Sequence, residues 1–217
     1  MNCFVFFRKG VALPLFSFIA ISLFLLAPVT SFAVSELPRA VEAEKKVDEF
    51  HVLLVDVMKK GEGKGCEFRY VLLLPEVRER FDIPLISRIV LGSWWRKISI
   101  DEKLKFIDVF TRYTASTYAD RFRRFENTRF EIVSSELSRR DRAIVETVLK
   151  SDGHDDVKLS YICRRSSSGW KIVGVSARGV NDLSLKRAEY NDYIAKYGFH
   201  TLVEMLEKKA SLCLDGN

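Results

Sequence analysis

The chain has 217 residues, with 35 Lys and Arg against 29 Asp and Glu, a formal net charge of +6 at pH 7. That excess favours acidic surfaces such as anionic head groups or an acidic partner, but it is not extreme. A chain routed out of the cytosol is not expected to meet nucleic acid, and widely separated cysteines with no C-x-x-C argue against a metal or redox motif.

The first 33 residues read as a leader rather than as part of the fold. Arg8 and Lys9 form a positive start, Val11 to Ala27 is an apolar run broken by Pro14 and serines, and Ser31-Phe32-Ala33 offers the small residues a signal peptidase needs. Cleavage is expected after Ala33, leaving a single domain over 34–217; an uncleaved anchor is the alternative, because the run is near the lower length limit for a spanning helix. Cys3 precedes the apolar run, which argues against a lipoprotein signal. Losing Arg8 and Lys9 lowers the charge from +6 to +4. The remainder is long enough for a core of its own and shows neither an internal repeat nor a second long apolar run.

Between Leu37 and Lys60, Val41, Val47, Phe50, Leu54, Val57 and Met58 form one stripe of an amphipathic helix. The glycines of Gly61 to Gly65 end it. This is not a phosphate-cradling loop, which would follow a strand and carry Lys then Ser or Thr before a helix. Cys66 to Arg80 is a second helical segment with Pro75 as a break or a new first turn. Phe81 to Trp95 is apolar at helical spacing, with Pro84 in its first turn and Ile83, Ile86, Ile89, Val90 and Trp94 on one broad face. Ser99 and Glu102 then make a capping box, and Leu104, Ile107, Phe110, Thr114, Thr117, Tyr118 and Phe122 keep the apolar period of a long helix.

From Arg129 the period changes to two. Phe130 and Ile132, Arg142 to Leu149, Val157 to Cys163, and Trp170 to Val175 predict four strands. Their connections are too short for parallel crossovers, so the sheet is expected to be an antiparallel meander in an α+β domain with one face covered. A helix from Leu183 to Tyr197 ending at Gly198, and another capped by Thr201 with Glu204 and turning Leu202 and Met205 or Leu206 inward, close the chain.

Candidate chemistry is sparse. Ser176 lies near two glycines, but the second is one residue late for a nucleophile elbow, and the strand is antiparallel. His51, His154 and His200 lack metal-ligand spacing and read as surface or partly buried side chains. After the leader, Cys66, Cys163 and Cys213 permit one disulfide and one free thiol or three buried thiols, and spacing selects no pairing. Arg121, Arg123, Arg124 and Arg129 read as a solvated helix end, with an anion-facing rim as the minority reading. The apolar stripes fit a filled core or a cavity equally well, because close packing and ligand contact call for the same periodicity.

Phe81-Asp82-Ile83-Pro84, Ile89-Val90-Leu91-Gly92, Trp95 before Arg96, the helix spanning Phe106 to Tyr118, Trp170-Lys171-Ile172 and Gly179-Val180-Asn181-Asp182-Leu183-Ser184, followed by Arg187, Tyr190 and Gly198-Phe199, resemble in their order the MlaC family of periplasmic lipid-binding proteins. The hopanoid-associated HpnM branch carries similar motifs, and the branch stays open. Asn181-Asp182 departs from the commoner Gly-Val-Ser of the family. The resemblance implies a non-enzymatic carrier with phospholipid as cargo and no cofactor or metal. It would exchange lipid between an outer-membrane lipoprotein complex and an inner-membrane ABC transporter bearing MCE domains. It further implies a lipid pocket between sheet and helices, for which Val157, Leu159 and Tyr161, Val175 and Val180, and Ile86, Val90, Tyr118 and Phe122 are the expected lining. An exported adaptor that binds proteins through its basic helix end, with a solid core, is the reading from another class.

Overall fold

The structure, a computed structural model, describes residues 40–139 and 141–214; the expected leader lies outside the described residues. Among these, the chain forms helices α1 (Val41–Lys60), α2 (Cys66–Arg80), α3 (Ile83–Leu91) and α4 (Ile100–Arg121). Strands β1 (Arg129–Arg139), β2 (Arg142–Lys150), β3 (Val157–Ser166), β4 (Gly169–Ala177) and β5 (Val180–Asn181) follow, and α5 (Asp182–Tyr197) and α6 (Phe199–Ser211) complete the fold. The sheet is an open antiparallel meander in the order β1-β2-β3-β4-β5, so the α+β expectation holds with five strands rather than four. The extra strand is two residues long, too short to show alternation. It is joined to β4 by a two-residue turn, Arg178-Gly179, with φ of 52° and 79°. Positive φ at both positions is what a hairpin of this length needs to match strand twist.

Helix α1 packs along one face of the sheet through Val47, Phe50, Leu54, Val57 and Met58. Val41 is exposed instead, because it is two residues, some 200° of helix, away from the buried Ala43. Pro75 neither breaks nor restarts α2. The carbonyl it cannot serve belongs to Val71, an exposed residue, so the missing bond leaves no buried acceptor unpaired. The stretch after Phe81 divides at Gly92, whose φ of 56° ends α3, and a 3-10 turn over Gly92–Arg96 carries Trp94 and Trp95 half-exposed. Asp82 caps α3 by accepting the Leu85 N–H at 3.2 Å.

Both halves of the capping box form at Ser99 and Glu102, at 3.2 and 2.7 Å. The face of α4 that packs against α2 and α6 is Phe106, Val109, Phe110, Ala115 and Ala119, while Leu104 is 59% exposed. Of the expected stripe, Phe110 alone is among these buried residues. At the chain's end, α6 starts directly at Phe199 without a side-chain cap; the Thr201 hydroxyl donates instead to the Tyr197 carbonyl at 2.9 Å.

Two long-range ties fix the helical layer. Cys66, at the start of α2, is disulfide-bonded to Cys213, after α6, across 147 positions. Arg69, one turn into α2, is buried and donates from Nε to the Ala119 carbonyl at 2.7 Å and from Nη1 to the Lys64 carbonyl at 2.9 Å. Its stem leaves no room at Gly61, where a Cβ would meet both Arg69 Cγ and the Val57 carbonyl at 2.7 Å. Cys163, on β3, is free and buried, with its thiol pushed up to about 12 by desolvation.

Thiol titration of a chain beginning at Val34 should therefore find no reactive cysteine in the native protein, one after unfolding and three only after reduction. Replacing Cys66 and Cys213 by Ala should lower the unfolding free energy by about 2–4 kcal/mol, because the bond closes a long loop in the unfolded chain. Equal denaturation midpoints with and without the bond would show that it constrains neither state.

Candidate functional site

The free edge of β4 is only partly covered. At one end Phe81 bridges to Ile172 in parallel, with the Asp82 N–H donating to the Ile172 carbonyl at 3.0 Å. At the other end β5 pairs with Ser176 and Ala177. Between them lies Gly174, where a Cβ would come within 3.2 Å of the Leu183 side chain. Helices α3, α4 and the start of α5 are thereby held around this part of the sheet with space left between them.

That space is a cavity of about 440 Å³, within the usual range of small-ligand sites, roughly 300–1,000 Å³. Its sheet wall is Leu149, Leu159, Tyr161, Gly174, Val175 and Ala177. Opposite lie Phe110, Tyr113, Thr114, Thr117 and Tyr118 of α4, with Phe122 just beyond it. Phe81, Ile83 and Ile86 close one end, and Val180, Asp182, Leu183, Leu185 and Lys186, with Arg121, surround the other. The register explains the sheet wall: Val145, Tyr161 and Val175 are directly opposed on neighbouring strands, as are Leu159 and Ala177, so their side chains share one face.

The threonines of this wall are polar in name only. Thr114 and Thr117 donate their hydroxyls to the Phe110 and Tyr113 carbonyls one turn back, at 2.7 and 2.8 Å, and present their methyl groups outward. Burial pushes the phenols of Tyr118 and Tyr161 well above the ordinary tyrosine range, so both remain neutral. Phe50 stands edge-on to Phe81 and to Tyr118, each at 5.3 Å, and joins this aromatic wall to α1.

Seven of the nine expected lining residues, Ile86, Tyr118, Phe122, Leu159, Tyr161, Val175 and Val180, border the cavity; Val90 and Val157 do not. Val90 is one turn beyond Ile86, fully buried, with its carbonyl accepting from the Asn191 side chain of α5 at 3.1 Å. Val157 shares a face with Leu159 but opens β3 beyond the last β4 pair, Leu159 with Ala177, and its cross-strand partner is Leu149 of β2. Phe110, Thr114 and Thr117 belong to the α4 stripe whose period fits a filled core and a cavity alike, and they border the cavity. Ile83 shares the spacing-defined face of Ile86, whereas nothing in sequence spacing marks Phe81, Leu149 or Leu183 as lining.

Of the histidines, His154 and His200 are exposed, but His51 is only 3% exposed, contrary to the surface or partly buried reading. It stacks on Phe130 at 4.0 Å, stands edge-on to the cavity residue Tyr161 at 5.1 Å, and neither ring nitrogen has a hydrogen-bond partner among the described residues. Among those residues no cluster of His, Cys, Asp and Glu could hold a metal ion.

An apolar cavity between a half-covered antiparallel sheet and a helical layer defines a binding domain for an apolar or amphiphilic ligand. The chain belongs to the MlaC family, whose model, described as MlaC protein, matches residues 50–208. It is similar to the intermembrane phospholipid transport system binding protein MlaC of Haemophilus influenzae, 24% identical over 127 residues, covering 56% of this chain and 59% of that protein. The match thus spans less than two thirds of that relative. The fold is that of a phospholipid-binding protein of Ralstonia solanacearum solved in complex with a phospholipid. The TM-score is 0.71 at 18% identity, over 80% of this chain and 99% of that one.

The burial of His51 has a consequence for stability. Desolvation pushes its pKa down to about 4 from an ordinary 6.5. As pH falls the unfolded chain takes up this proton first, so the stabilisation is complete above pH 6.5 and lost on the way to pH 4. At most it amounts to about 3 kcal/mol. Replacing His51 by Phe should flatten the fall in urea midpoint across that window; a variant that loses as much as the parent would place the titration elsewhere.

Proposed function

We propose that this protein is a periplasmic phospholipid carrier that shields acyl chains in the cavity and leaves the head group at the mouth. The observation that carries the reading is the cavity itself, with its neutral walls, in a chain of the MlaC family. A protein-binding adaptor has no use for such a space, which counts against the solid-core alternative. Export is supported by the leader-like first 33 residues and by the Cys66–Cys213 bond, a linkage that persists in oxidising compartments. Exchange of lipid with an outer-membrane lipoprotein complex and an inner-membrane ABC transporter bearing MCE domains is the part of the proposal that rests on family resemblance.

The energetics favour binding without catalysis. Moving an acyl chain of about 16 carbons into water costs about 12 kcal/mol at about 0.8 kcal/mol per CH₂, so lipid does not cross an aqueous space unaided. A carrier must offer surroundings about as apolar as the bilayer, so that loading and delivery are both close to thermoneutral. The cavity requires no cofactor or metal for this, only exclusion of water.

Native mass spectrometry of the purified protein with lipid extraction should show bound phospholipid, and vesicles should reload the stripped protein; neither occurring would sink the carrier reading. Val175→Trp, which projects a large ring into the cavity, should reduce lipid loading severalfold with unchanged circular dichroism. Val157→Trp, outside the lining, should leave loading near that of the parent, and equal loading in both would move the lipid site away from β4.

A further inference from the structure

The walls and the mouth of the cavity differ in kind. Of all the residues that border it, only Arg121, Asp182 and Lys186 carry charge, and all three belong to the end formed by the close of α4 and the start of α5. Lys186 donates to the Asp182 carboxylate at 2.7 Å across one turn, and its side chain is only 15% exposed, so this pair satisfies itself. Arg121, in the last turn of α4, makes no hydrogen bond or ion pair among the described residues; neighbouring Arg123 has Asp120 within 3.9 Å. Burial raises the Tyr118 phenol, Arg121 offsets part of that push and Asp182 adds to it, so both charges act on the same aromatic wall.

A second source of positive potential points the same way. Helix α5 runs for 16 residues, and Asp182, Leu183, Leu185 and Lys186 of its first five residues border the mouth, so its positive end opens there. Asn181 accepts the Ser184 N–H at 3.1 Å and fixes the direction of that end. The exposed Val180 and Leu185 complete the rim. With Asp182 neutralised by Lys186, the mouth has one uncompensated guanidinium above a neutral, apolar space. That arrangement is complementary to an amphiphile whose single anionic group lies at the head of its apolar chains. A guanidinium fork matches two phosphate oxygens at once, which a lysine ammonium does not.

We propose that Arg121 selects the cargo, pairing with the phosphodiester of a bound diacyl lipid at the cavity mouth while the Lys186–Asp182 pair anchors α5 beside it. The proposal rests on the carrier reading and adds to it a discriminating contact. Because Arg121 remains exposed, the contact is worth only a modest factor, about two- to fivefold in affinity.

The test compares the chain from Val34 with its Arg121→Gln, Arg121→Lys and Arg124→Gln variants. Binding of phosphatidylglycerol and of diacylglycerol with the same acyl chains is measured at low and high salt. The parent should prefer phosphatidylglycerol by about two- to fivefold, less at high salt. Arg121→Gln should lose that preference with unchanged diacylglycerol binding, Arg121→Lys should recover part of it, and Arg124→Gln, whose arginine is exposed outside the lining, should behave like the parent. The Arg121 assignment is overturned if Arg121→Gln weakens both lipids equally or neither. It is also overturned if Arg124→Gln has the same effect, which would make the preference a property of the general field. Arg121-dependent binding of millimolar glycerol 3-phosphate by lipid-free protein would identify a site for free phosphate instead of a lipid head group and would overturn it too. Failure of the parent to bind either lipid would sink the carrier reading and the role of Arg121 with it, a result distinct from the others.

Discussion

The structure depends on a volume that close packing would ordinarily remove. Left sealed and empty, 440 Å³ at about 24 cal/mol per Å³ would cost about 10 kcal/mol. That is comparable with the whole stability of an ordinary domain, about 5–15 kcal/mol. The chain therefore leaves the space open at one end, where water or a ligand can fill it, and holds the walls apart with interactions located elsewhere. Packing against the cavity itself cannot supply that bracing, since contact across it would close it.

The bracing is distributed round the perimeter. On one side Phe81 and Asp82 are stitched to Ile172 of β4, which fixes where α3 begins. On the far side of α4, Arg69 links the loop after α1 and the Ala119 carbonyl near the end of α4. The Cys66–Cys213 bond ties the start of α2 to the chain beyond α6. Phe50 meets both Phe81 and Tyr118, which also meet each other at 5.6 Å, so α1 braces the aromatic wall without bordering the cavity. The β4–β5 turn holds Arg178 at a positive φ of 52° that a residue with a side chain adopts at some cost, its N–H donating to the Lys158 carbonyl of β3 at 2.9 Å. It leads directly into the rim, so the most strained backbone of the site is at its opening.

Most of the fold was legible because two physical signals are local. Alternation revealed four strands, and short connections made them antiparallel; the two residues of β5 offered nothing to alternate. The capping box marked the start of α4, since both of its hydrogen bonds lie within four residues. What periodicity lacked was the identity of the surface opposite each stripe. Helix α4 is apolar on two faces, and the Phe110–Thr114–Thr117–Tyr118 stripe reads identically whether it touches protein or bounds a space. Val90 and Val157 show the same limit from the other direction: each shares a face with a true lining residue, and one turn or one strand pair decides whether it reaches the cavity. His51 was misplaced because a histidine with no polar partner is not expected in a core. Only the resemblance of ordered segments pointed to a pocket at all.

The chemistry of the wall determines what the site can recognise. Thr114 and Thr117 return their hydroxyls to carbonyls one turn earlier, so the wall offers no free hydroxyl donor from them. On the carrier reading, each methylene then gains about as much from the cavity as from a bilayer. Transfer free energy stays near zero whatever the chain length, and the wall does not discriminate between acyl chains. Selection must fall to groups at the mouth, where an exposed ion pair contributes at most about 1 kcal/mol. A contribution of that size biases which lipid is taken up and is too small to prevent its release, which is the balance a shuttle needs and an enzyme or a storage protein does not.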